Sequence, residues 1–153
     1  MDVERKRGDK IADRIDIQCE IEPVAFDDMA NRAPAESSAF IRERVIRARA
    51  IQNLRFKAER GIYCNAQMNS RLLHQYAWPD EQGLVKLKER MTKLNMSARA
   101  FDRILRVART IADLEYAGTM AAEEAVIAPV LSRHISEAIG YRALDRASYG
   151  KIF

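Results

Sequence analysis

Apolar positions recur at helical spacing through most of this chain, and the longest such pattern lies over 94–114. Phe101, Ile104, Leu105, Ala108, Ile111 and Ala112 gather there on one side of a helix, a stripe wide enough that it must face a core. Ser97 stands at the N-cap position, where its hydroxyl accepts from a first-turn amide. A second long helix is predicted from Ser37 or Ser38 to about Lys57 or Glu59. Ile41, Val45, Ala48, Ile51 and Leu54 form its buried side, and Arg42, Arg49 and Asn53 face away. Gly61 is placed to end it in a left-handed conformation. A short helix over 70–76, one opened by Pro79 over 80–94 and a closing helix over 132–143 complete the set. Leu84, Leu87, Met91 and Leu94 are the apolar positions of the 80–94 helix. Between Tyr116 and Leu131, the Ala/Glu-rich stretch from Ala121 to Val130 predicts an extra helical turn packed on the outside.

One stretch follows a different period. In residues 15–22 Ile15, Ile17, Cys19 and Ile21 alternate strictly with polar residues, the pattern of a half-buried strand, and Pro23 stops it. The chain carries no second strand of similar quality, and a strand needs partners for its backbone groups. It is therefore expected to belong to a sheet supplied from elsewhere; without that sheet it is expected to fray, to fold back on the helices or, as the favoured rescue, to pair with a second copy in a homodimer. Residues 1–36 read as a charged amino-terminus, this strand and a linker; residues 37–153 read as one helical domain.

Charge sharpens that division. The net +4 hides 6 Lys/Arg against 10 Asp/Glu up to Glu36, and 20 against 12 after it. The helical part is basic. Arg99, Arg103 and Arg106 form a ridge opposite the apolar stripe, suited to nucleotide phosphates or a nucleic-acid backbone. A solvated helix face explains the same arginines without a ligand. Cys19 and Cys64 lack metal-site spacing and read as small buried hydrophobes. His74 and His134 read as surface or packing residues, with no metal site expected. Tyr63, Tyr76 and Trp78 read as core or hinge packing rather than a base-stacking platform. No stretch is apolar enough to span a bilayer and the amino-terminus lacks a secretory pattern, so a cytoplasmic location without membrane contact is expected.

Several blocks in register resemble one family. Residues 95–105 and 107–114, with Ile41-Arg42-Glu43-Arg44-Val45, Ala48-Arg49-Ala50-Ile51-Gln52, Arg55-Phe56, Ile62-Tyr63-Cys64-Asn65-Ala66-Gln67-Met68 and residues 134–146, resemble the C-terminal helical domain of magnesium-chelatase-like AAA+ ATPases. Their bacterial ComM/YifB branch is the better fit. The resemblance implies a mainly α fold: an AAA+ lid-type bundle preceded by one strand that belongs to a missing ATPase core. It implies a sensor-2 role for Arg99, which contacts the terminal phosphate of ATP in its own subunit, with Arg103 and Arg106 as further nucleotide-binding candidates. Arg14 in Asp13-Arg14-Ile15-Asp16 is implied to be an arginine finger reaching across a subunit interface.

The resemblance implies that complete relatives are hexameric motors, the ComM type acting on DNA in branch migration during recombination and natural transformation, the chelatase type driving magnesium insertion into porphyrin. The Asn65-Ala66-Gln67-Met68 block favours the first. This chain carries no GxxxxGK[ST] loop and no Walker B-like strand end. ATP and Mg2+ are therefore expected only where a complete ATPase core or homologous subunits join it, and no cofactor for the chain alone. A stand-alone basic DNA-binding module and a regulatory interaction protein of the same family remain alternative readings.

Overall fold

The computed structural model describes residues 15–19, 21–24, 26, 29, 35–94 and 96–142. Among them the chain is mainly helical. The helices are α1 (Ser38–Arg55), α2 (Ser70–Tyr76), α3 (Glu81–Leu94), α4 (Ala98–Tyr116), α5 (Ala122–Ala125) and α6 (Ser132–Gly140), with a 3-10 turn at Asn65–Gln67 before α2. Short polar residues set the helix starts. Ser37 Oγ accepts from the Phe40 amide at 3.5 Å, Asn69 Oδ1 from Leu72 at 3.0 Å and Ser97 Oγ from Ala100 at 3.2 Å. Asp80 Oδ1 does the same for Gly83 at 2.8 Å, so Asp80 caps α3. Pro79 stands just outside and bridges to Val130.

The molecule is assembled on α4. It packs against α1, α2, α5, α6 and the 3-10 turn, and α3 joins through α6. Ile104, Leu105, Ala108 and Ala112 are buried, with Phe101 and Ile111 packed at the core edge. Leu72, Leu73, Leu87, Ile135 and Ile139 close around them. Each such fully buried Leu or Ile contributes about 1.5–3 kcal/mol. Glycine is needed where α3 approaches α6: a Cβ on Gly83 would lie 2.9 Å from Pro79 Cβ and 3.2 Å from Ile135 Cγ1.

Several expectations are corrected. On α1 only Ala48 and Ile51 of the predicted apolar side are buried; Ile41, Val45 and Leu54 are exposed, and Gln52 and Arg55 are buried instead. The helix outruns the body it packs on, and from Ser38 to Arg47 no residue is buried. Gly61 has φ +78, but it closes the turns after α1 rather than capping the helix, which ends at Arg55. The turn α5 forms as expected, yet it is not outside the core, since Ala125 and Val130 are fully covered. Cys19 is exposed and Cys64 half-buried, and neither is a core residue.

The alternating stretch forms no strand among its described residues. The Gln18 amide donates to the Tyr141 carbonyl at 2.8 Å, and Arg142 Nη1 donates to the Ile15 carbonyl at 2.7 Å. These bonds lay the segment along the end of α6 with its pattern reversed. Asp16 and Gln18 turn partly inward, and Ile15, Ile17, Cys19 and Ile21 face out. An alternating pattern specifies two faces but not which one is covered, and here polar anchors fix the choice.

Candidate functional site

The three arginines expected to form one ridge on α4 occupy three different environments. Arg99 lies in the first turn, just past the Ser97 cap. It is exposed and makes no hydrogen bond or ion pair among the described residues. First-turn amides point outward there, so anions are favoured at this end of the helix. Arg103 is largely covered and ion-pairs with Asp16 of the amino-terminal segment. Arg106 reaches the 3-10 turn, where its Nη2 and Nε donate to the Met68 carbonyl at 2.8 and 3.3 Å, with Asp102 at 4.0 Å. Arg103 and Arg106 thus hold other parts of the chain, and Arg99 alone of the three presents a guanidinium to solvent. Arg14 lies outside the described residues.

A polar cluster absent from the sequence-based expectations sits at the centre. Asp113 is fully buried and accepts from Arg55 Nη2 at 2.6 Å, Arg55 Nη1 at 2.8 Å, Arg109 Nε at 3.0 Å and Asn65 Nδ2 at 2.7 Å. Two buried guanidiniums face one carboxylate, and backbone carbonyls supply the remaining negative potential. Arg109 Nη1 donates to Ala128 at 2.5 Å and Tyr76 at 3.3 Å, and Arg55 Nε donates to Val126 at 3.3 Å. Burial pulls the Arg109 guanidinium below its ordinary value, opposed chiefly by Asp113. The cluster ties α1, the 3-10 turn, the end of α2, α4 and the 125–128 turn to one point. Its trace in the sequence is Arg109 and Asp113 standing four apart within the apolar stripe, next to Ala108 and Ala112.

Of the other singled-out side chains, His134, Tyr76, His74 and Trp78 make packing contacts, whereas Tyr63, expected as core or hinge packing, is 66% exposed. His134 is buried; its Nδ1 accepts from the Leu131 amide at 3.0 Å and its Nε2 faces Glu115 at 3.0 Å. Tyr76 packs edge-on against Phe56. His74 stacks on Trp78, which meets Phe101 edge-on, while Tyr63 stands apart and exposed. No group of three His, Cys, Asp or Glu suited to a metal is found among the described residues, and none of their helices is long and apolar enough to cross a membrane.

The sequence that builds these elements is similar to known proteins. The family described as magnesium chelatase, subunit ChlI C-terminal, matches residues 35–142. Over 135 residues the chain is 34% identical to Competence protein ComM of Haemophilus influenzae, covering 88% of this chain and 24% of that protein. Over 136 residues it is 32% identical to the uncharacterized protein YifB of Escherichia coli, with the same coverage. The chain therefore spans about a quarter of the length of the curated relatives it matches.

Proposed function

The chain belongs to the magnesium chelatase subunit ChlI C-terminal family, and from that premise we propose that it serves as the nucleotide-sensing helical lid of a ComM-type AAA+ motor. The observation that carries this reading is Arg99, the one arginine of the ridge left exposed and unengaged among the described residues, at the helix end that favours anions. In a ring, Arg99 contacts the terminal phosphate of a nucleotide held by a separate ATPase core, and a charge-assisted bond of this kind is worth about 1.5–3 kcal/mol. Arg103 and Arg106 support it indirectly by fixing the amino-terminal segment and the 3-10 turn. Arg14 is assigned the arginine-finger role by its sequence position. The residues described here fit one phosphate contact and no more: the P-loop lies elsewhere, and no carboxylate cluster offers a Mg2+ site among the described residues. The assembled motor acts on DNA during recombination.

A chimera tests the proposal. This chain replaces the matching quarter of the Haemophilus influenzae relative, and ATP turnover and duplex-DNA affinity are measured at two salt concentrations. Arg99→Ala is expected to lower turnover about ten-fold or more, with Arg103→Ala and Arg106→Ala changing it little. Equal losses at all three positions, confined to DNA affinity and steeply salt-dependent, would establish a phosphate-tracking DNA module in place of the lid.

A further inference from the structure

The turns that follow α1 enclose a cavity of about 290 Å3 that the lid reading leaves unused. Phe56 and Ile62 supply its apolar lining, and Tyr63 stands beside them, 66% exposed. The Tyr63 ring meets no other ring among the described residues, yet its backbone is fixed, because the Tyr63 amide donates to Gln67 Oε1 at 2.8 Å. Lys57 and Arg60 line the same cavity, both exposed, and neither has an ion pair among the described residues. Glu59, the carboxylate of the lining, is taken by Arg71 at 2.7 Å. Asn53 adds an exposed amide.

Asn53 also ends a stripe along α1. At the helical repeat Arg49 and Asn53 fall within about 20° of Arg42, and all three are exposed. No carboxylate pairs with Arg42 or Arg49 among the described residues; Arg49 Nη1 donates to the Gln52 amide oxygen at 3.0 Å and keeps its charge. Arg44 and Arg47 lie about 140–200° further around the helix and are neutralised by Glu36 and Glu43. The carboxylates thus serve one side of α1 and leave the stripe and the cavity uncompensated. Helix stabilisation does not explain this. A cation just past the end of α1 offsets the helix dipole, which accounts for Lys57, but Arg42 lies near the amino end, where the dipole favours the opposite charge.

We propose that this surface, from Arg42 through Asn53 to the Tyr63 cavity, binds single-stranded nucleic acid. Arg42, Arg49, Lys57 and Arg60 follow a backbone of phosphates, and the open Tyr63 ring receives a base on its face. A duplex keeps its base faces stacked inside and offers that ring nothing, so Tyr63 selects the single strand. An acidic peptide would satisfy the cations but leave the ring unused. Arg99 belongs to neither α1 nor the cavity, so this inference goes beyond the lid reading and each can fail without the other.

Fluorescence anisotropy on the intact chain tests it, with labelled thymidine and uridine oligomers of about 12 nucleotides at about 50 and about 200 mM salt. Binding of either oligomer supports the proposal, the tighter one identifying the preferred sugar, and a duplex of the same length should bind more weakly. Tyr63→Ala is expected to weaken single-strand binding about ten-fold, whereas Tyr63→Phe keeps the parent affinity. Arg42→Ala and Arg60→Ala should each lower affinity about two- to three-fold and reduce the log–log salt slope by about 0.7. Arg44→Ala, Arg47→Ala and Arg99→Ala should leave both unchanged. All these positions are exposed, and circular dichroism with urea unfolding verifies each fold; Tyr63→Leu replaces Tyr63→Ala should that variant be unfolded. No binding of either oligomer at about 50 mM salt with the chain at up to about 1 mM overturns the proposal. So does parent-like affinity in the folded Tyr63 variant, or a duplex or oligo-glutamate that binds as tightly as the single strand.

Discussion

Arg109 and Arg99 lie on the same helix, yet their surroundings have almost nothing in common. Arg109 is fully buried, bonded to Asp113 and to carbonyls of two other segments, and its guanidinium is pulled down by desolvation. Arg99 is exposed in the first turn, with no partner among the described residues. The difference teaches that charge on this helix is divided between holding the fold and facing outward. The division follows position. Where α1, the 3-10 turn and the 125–128 turn converge on α4, backbone carbonyls would be buried unpaired, and a guanidinium with five donors satisfies several of them at once. On the outward side of the first turn of α4 the Arg99 side chain meets no partner among the described residues, and an arginine there is open to a ligand.

The buried side of the comparison yields the largest expected effect. Removing Asp113 leaves two buried guanidiniums facing each other without a counter-charge, and breaking a buried pair in this way costs about 3–5 kcal/mol. Asp113→Ala is therefore expected to lose that much stability in urea unfolding, and Arg99→Ala no more than about 0.5 kcal/mol. If Asp113→Ala unfolds within about 1 kcal/mol of the parent, water or local rearrangement rescues the cluster, and the contrast with the exposed arginines collapses.

The same contrast explains what could be read from the sequence. Periodicity located all the long helices, and the Ser37 and Ser97 caps were legible because short hydroxyl side chains answer a local need. Periodicity also gave α4 its buried stripe. It failed where non-local contacts decide. Ile41 and Val45 satisfy the helical pattern of α1 and lie exposed, because the body beneath that helix ends before they are reached. The alternation at Ile15, Ile17, Cys19 and Ile21 is real, but Asp16 and Gln18 anchor it with the apolar side out. Arg55, Asn65, Arg109 and Asp113 come from three separate stretches, and no single window shows that their charges cancel. Likewise, the resemblance singles out Arg99, but only the folded chain separates it from Arg103 and Arg106.

Arg103 stands between the extremes and tests whether the division is graded. Its pair with Asp16 is partly open to solvent, the side chains being 21% and 46% exposed, so Arg103→Ala is expected to cost no more than about 1 kcal/mol globally. The loss should be local. Amide exchange should quicken at Gln18, whose N–H donates to Tyr141, while amides of α4 keep the parent rate. Global destabilisation approaching that of Asp113→Ala would show that Arg103 belongs with the buried cluster.

The smallest expected effect comes from an ion pair at the surface, Glu115 with Arg133. The hydrogen bond from Arg133 is the main cause holding the Glu115 carboxyl down at about 2, helped by His134 and opposed by desolvation. A carboxyl depressed in the folded state stabilises the protein above its ordinary value near 4.5, and the contribution is lost as pH falls from there to about 2. The Glu115 side chain is 38% exposed and that of Arg133 56%, so solvent screening reduces the stabilisation to less than about 1 kcal/mol. Unfolding free energies of the parent and Glu115→Gln, followed from about pH 5 to about pH 2, should converge by that amount as the parent loses its pair. Added salt should shrink the difference, since exposed charges are screened over about 10 Å at 0.1 M. A difference above about 2 kcal/mol that is indifferent to salt would place this pair beside Arg109 and Asp113, and exposure would no longer separate the charges that hold the fold from those that face outward.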